Sequence, residues 1–132
     1  MIPKIAVIGE GVIGCTSALQ IAKAIPNSRI TILHDKPFEK SCSAGPAGLF
    51  RIDYEENTHC IHHTAYASEG NKYVPYLKNL LLEQKVEFKQ QEVKSLDEVA
   101  DSGYDVIVNC AGLYAYMGSR VIMQHVNFPF LR

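Results

Sequence analysis

The feature that most constrains this chain is the hexapeptide Gly9-Glu10-Gly11-Val12-Ile13-Gly14, set between an apolar run and a stretch of helical periodicity. Lys4 to Ile8 is rich in β-branched residues and ends at glycine, which predicts a parallel strand buried on both faces. From Val12 the apolar or small residues Val12, Cys15, Thr16, Leu19 and Ala22 recur at helical spacing until Pro26 and Asn27 stop the helix. Arg29 to Leu33 alternates and concentrates Ile and Thr, giving a second strand that ends at His34 and Asp35. Strand, glycine turn, helix and strand form one crossover unit, and such units build an α/β fold around a parallel sheet.

In that context the three glycines have separate tasks. Gly9 permits the tight turn, Gly11 lets backbone approach a pyrophosphate, and Gly14 lets helix and strand pack closely. Free N–H groups and the positive dipole end at the start of the helix, around Val12 and Ile13, suit an anion. Asp35 follows Gly14 by 21 residues, at the end of the second strand, where a carboxylate can accept hydrogen bonds from both hydroxyls of an adenosine ribose. A carboxylate there also disfavours a 2′-phosphate. The pattern therefore points to a Rossmann-like dinucleotide-binding sheet, against the plainer reading of a structural turn. NAD and FAD share this fingerprint, and the stretch after the second strand separates them. An NAD domain usually proceeds to its next crossover, whereas here residues 36–48, KPFEKSCSAGPAG, form a loop dense in Pro, Gly and small residues.

Further along, Leu49 to Gly70 has no clear period and receives no element. Pro75 is expected in the first turn of a helix whose apolar face, Tyr76, Leu77, Leu80 and Leu81, runs to about Gln84. Val86 to Val93 alternates as a half-exposed strand, and Ser95 with Glu98 makes a capping box that starts a short helix. Asp105-Val-Ile-Val-Asn-Cys-Ala-Gly is another apolar run closed by a small-residue turn, as in a central strand meeting a ligand edge.

Three segments, GEGVIGCTSAL, ILHDKPFEKSCSAGPAGLFR and YDVIVNCAGL, together resemble the D-amino-acid oxidase and D-aspartate oxidase family, in the family's order. The similarity covers most of residues 4 to 114. It implies FAD as cofactor, a D-amino acid as small-molecule substrate, and oxidative deamination with oxygen giving an imino acid, then a 2-oxo acid, ammonia and peroxide. By the resemblance Gly9, Gly11, Val12, Ile13 and Gly14 make the pyrophosphate turn, and Asp35 and Lys36 hold the adenosine part. Cys42, Ser43, Gly48 and Leu49 would line the pyrophosphate and flavin, Val93 would sit near the adenine, and Ala111 with Gly112 would end the strand at the cofactor. Cys42 stands where the family usually has a hydroxyl residue. Two departures are larger. The family has a long additional segment between Thr58 and His59, and after Tyr114 it has a substrate sheet with its Tyr and Arg residues. None of Arg29, Arg51, Arg120 and Arg132 matches the arginine that grips the substrate carboxylate, so no catalytic residue is assigned. The expected organisation is an incomplete FAD-binding domain over residues 1–114, with the missing segment near 58–59, and a divergent, poorly packed tail over 115–132. A non-catalytic truncated isoform or fragment that binds FAD weakly or not at all is the alternative.

Composition narrows the partners. Thirteen basic and fourteen acidic side chains with no basic run give nothing to track a nucleic-acid backbone. No apolar stretch approaches the ~20 residues of a membrane span, since Glu10, Gln20 and Lys23 interrupt the most hydrophobic region. A soluble protein is expected, because the start lacks signal-peptide features, with the cytoplasm as default location; the resemblance also allows a peroxisomal one, for which the terminal Phe-Leu-Arg is no address. His59-Cys60-Ile61-His62-His63 has zinc-binding residue types, yet adjacent residues of an extended chain point apart, so no metal is assigned. Cys15 and Cys110 read as packing residues, as do Tyr73, Tyr76 and Tyr114.

Overall fold

The computed structural model describes residues 2–45 and 69–112. Along them run β1 (Lys4–Ile8), α1 (Val12–Ala24), β2 (Arg29–His34), α2 (Gly70–Glu83), β3 (Glu87–Gln90), α3 (Leu96–Asp101) and β4 (Val106–Asn109). The strands form one sheet in the order β3-β2-β1-β4, every neighbouring pair parallel. Val7 lies opposite Ile32 on one side and Val108 on the other, so β1 is the central strand.

Helices on both faces explain why β1 and β2 read as continuous apolar runs rather than alternating ones. Ile5 and Val7 pack with Cys15, Ala18 and Leu19 of α1 and with Val74, Leu77 and Leu81 of α2. Ala6 and Ile8 point the other way, into a smaller cluster with Leu33 and Val99 of α3. The helix α3 is only six residues long and starts on the expected cap, where Ser95 Oγ accepts from the Glu98 N–H at 3.2 Å. The return contact differs from a strict capping box, because Glu98 Oε2 accepts from the Lys94 N–H, at 3.4 Å.

Three expectations need correction. Pro75 is the sixth residue of α2 and not in its first turn, because the Lys72 and Tyr73 N–H groups already bond to the Glu69 carbonyl at 3.0 and 2.9 Å. The strand expected over 86–93 is shorter, since its partner β2 ends at His34, whose carbonyl takes the Gln91 N–H at 2.8 Å and closes the ladder. Tyr73 and Tyr76 are exposed rather than packed, because Val74, Leu77 and Leu81 hold the buried face of α2. Tyr114, the seam at 58–59, the His59–His63 run and the tail 115–132 lie outside the described residues. Among the described residues no helix is long and apolar enough to cross a membrane.

Candidate functional site

In an open parallel sheet, ligands bind beyond the carboxyl ends of the strands where the strand order reverses. Here that point lies between β1 and β4, and the chain leaves no room there for side chains. Gly9 has φ +108°, and a Cβ on it would stand 2.5 Å from the Cys110 carbonyl oxygen. A Cβ on Gly14 would fall 1.9 Å from the Gly9 carbonyl oxygen, so Gly14 lets α1 close onto the turn. Gly11 is different: its Cβ position faces the Ser43 hydroxyl at 3.0 Å.

Helical hydrogen bonding in α1 begins with the Cys15 N–H donating to the Gly11 carbonyl at 3.0 Å, which leaves the preceding amides without helical partners. Gly11 supplies no capping side chain. Ser43 does so from a distance, its Oγ accepting from the Val12 N–H at 3.0 Å. It sits in the second of two short 3₁₀ turns, Phe38–Lys40 and Cys42–Ala44, and α2 packs on that loop: a Cβ on Gly70 would lie 1.9 Å from the Ser43 carbonyl oxygen.

A cavity of about 700 Å³ opens over these strand ends. Gly9, Gly11, Val12, Ile13, Asp35, Lys36, Cys42, Ser43, Val93, Ala111 and Gly112 border it. Gly14 lies below its floor as a packing residue, and Gly48 and Leu49 lie outside the described residues. Asp35 follows β2 directly, its carboxylate 3.5 Å from Lys36 Nζ. Its backbone is pinned by the edge strand, since Gln90 Nε2 donates to the Asp35 carbonyl at 3.2 Å. Lys36, Lys40, Lys94, Asp35 and Glu92 line the cavity, as does the turn residue Glu10.

Glu10 is the residue that sequence reasoning missed. Read only as a charge breaking an apolar stretch, it is buried, with Lys78 Nζ donating to its Oε1 and His34 Nδ1 3.1 Å from its Oε2. Lys78 in turn lies 4.8 Å from the centre of the Phe88 ring. One signal was available: Lys78 falls inside the apolar stripe Val74, Leu77, Leu81, where a cation needs a partner. Beneath the turn, burial and secondly the Glu10 charge push the Cys15 thiol up to about 11, with Lys78 opposing. Burial raises Cys110 as well, opposed by its hydrogen bond with Ser17. Both thiols stay protonated at neutral pH, as packing residues should. Among the described residues no group of three or more His, Cys, Asp or Glu side chains forms a metal site.

No family model matches the chain. Curated relatives do. The chain is 55% identical to D-aspartate oxidase 2 of Caenorhabditis elegans over 184 aligned positions, which take in 86% of this chain and 55% of the relative. The corresponding Caenorhabditis briggsae protein is 54% identical, and D-aspartate oxidase 1 of Caenorhabditis elegans 40%, over 86% of this chain and 56% and 55% of theirs. By sequence, this chain is similar to D-aspartate oxidases. It spans about half the length of the curated relatives it matches. Since 86% of 132 residues is about 114, about 70 of the 184 aligned positions have no counterpart here, as expected of a chain lacking an internal segment.

Proposed function

We propose that residues 1–114 are the cofactor-binding part of an FAD-dependent oxidase acting on acidic D-amino acids, with D-aspartate as substrate. The observation that carries the reading is the cavity at the sheet's switch point, where glycine turn, helix amides and ribose-side carboxylate converge. Its volume is ordinary for a small-molecule site, and the spare amides at the start of α1 suit a diphosphate. In this reading Gly9, Gly11, Val12 and Ile13 receive the diphosphate, Gly14 allows that approach from below, and the Ser43 hydroxyl yields the Val12 N–H to a phosphate oxygen. Asp35 and Lys36 take the ribose and its neighbourhood, Val93 borders the adenine, and Ala111 and Gly112 leave backbone open toward the ring system. Cys42 borders the pyrophosphate and flavin side, where Gly48 and Leu49 are proposed as further cofactor contacts. Bound FAD would supply the hydride acceptor for the substrate α-carbon. No residue here is proposed as catalytic, and residues 115–132 are proposed as a divergent tail.

Titration of the purified chain with FAD, followed by flavin fluorescence, tests the reading, with NAD as the competing ligand. Saturable FAD binding is expected. Gly11→Val fills the approach to the diphosphate and should weaken FAD by tenfold or more, about 1.4 kcal/mol at least. Equal affinity in a folded Gly11→Val variant would contradict the assignment, and a preference for NAD would move the chain to a different cofactor.

A further inference from the structure

Glu10 occupies the position between the first two glycines of the turn, and its carboxylate is 2% exposed. Three elements reach it. Lys78 comes from α2 and hydrogen-bonds Oε1. His34 comes from the last position of β2, directly ahead of Asp35, and Phe88 of β3 carries the Lys78 ammonium on its ring face. From α1 the Cys15 thiol touches the Glu10 backbone carbonyl at 3.7 Å. The second carboxylate oxygen, Oε2, is buried without a hydrogen bond. Its neighbour His34 Nδ1 faces the Lys36 carbonyl at 3.0 Å, so the contact with Oε2 at 3.1 Å is electrostatic and not a second full bond.

We propose that Lys78 determines the site's acceptance of phosphate: by pairing with the buried carboxylate of Glu10 it keeps the glycine turn neutral, so that a diphosphate can approach it. The inference rests on the dinucleotide reading above. A buried carboxylate at the turn would by itself repel a diphosphate. Lys78 makes the pair neutral, and its removal leaves an uncompensated buried negative charge bordering the anion's place. The arrangement predicts discrimination: Lys78 matters for ligands with phosphate and hardly at all for a nucleoside.

Calorimetric titration of the full chain with ADP and with adenosine separates the two. Lys78→Met should weaken ADP about tenfold or more, while adenosine changes by less than about threefold. Lys78→Arg should keep ADP affinity, and Glu10→Gln in the Lys78→Met background should restore it to within about threefold, since the stranded charge is gone. A structural role alone would weaken both ligands together, with no recovery in the double variant. If Lys78→Met fails to fold by circular dichroism, a folded double variant with near-normal ADP binding supports the proposal, and one without ADP binding overturns it. Wild-type binding to ADP that Lys78→Met leaves unchanged overturns this inference alone. A wild type that binds neither FAD nor ADP overturns the dinucleotide reading and this inference with it.

Discussion

Cys15 shows how a single side chain ties the glycine turn to the stability of the whole sheet. It is fully buried, and its thiol is raised from 9.0 to about 11. Because the folded value lies above the unfolded one, the folded chain holds this proton longer, and that contribution is whole below pH 9 and lost as pH rises through 11. The loss is on the order of 3 kcal/mol. Urea unfolding of wild type and Cys15→Ala should show the variant less stable at pH 8, from the cavity it leaves, with the gap closing by about that amount at alkaline pH. A gap independent of pH would mean that the thiol ionises freely in the fold. The turn's glycines were legible in sequence because their spacing is local. Glu10 was not, since its partner Lys78 is 68 residues away.

The elements were legible to the extent that each one's own period shows its buried face. The helix α2 follows this rule, with Val74, Leu77 and Leu81 inside and Leu82 exposed. Leu81→Ala should cost 2–5 kcal/mol in chemical denaturation, because the residue is fully buried between α2 and the sheet. Leu82→Ala, at 51% exposure, should stay within about 0.5 kcal/mol. Similar losses at the two positions would mean that α2 is rotated relative to the core. What periodicity did not show was where elements stop. The strand β3 ends with its partner β2, and α2 starts ahead of Pro75 because the Glu69 carbonyl accepts two amides.

For the molecule as a whole, the residues given a role in the proposed function all lie on the proposed cofactor side. Hydride transfer also needs a substrate held against the flavin, and alignment of that kind supplies on the order of 7–11 kcal/mol in well-oriented systems. The resemblance assigns no arginine of this chain to a substrate clamp. The chain should therefore release no peroxide from D-aspartate above a free-FAD blank, even with excess FAD, while still binding the cofactor. Peroxide formed from D-aspartate and not from L-aspartate would mean that residues read here as packing, or a second chain, complete the site.

By itself the sequence determined the α/β class and the strand-turn-helix-strand unit, because glycine spacing and apolar period are properties of neighbouring residues. Only the tertiary structure decided that β4 lies beside β1 on the side away from β2, bringing Cys110 against Gly9 to form the floor of the cavity. It alone decided that Ser43 caps α1 from the following loop, and that Glu10 is buried against Lys78 and His34. Each of these is a meeting of residues far apart in the chain. Burial then gives their charges and hydrogen bonds a weight that no local pattern records.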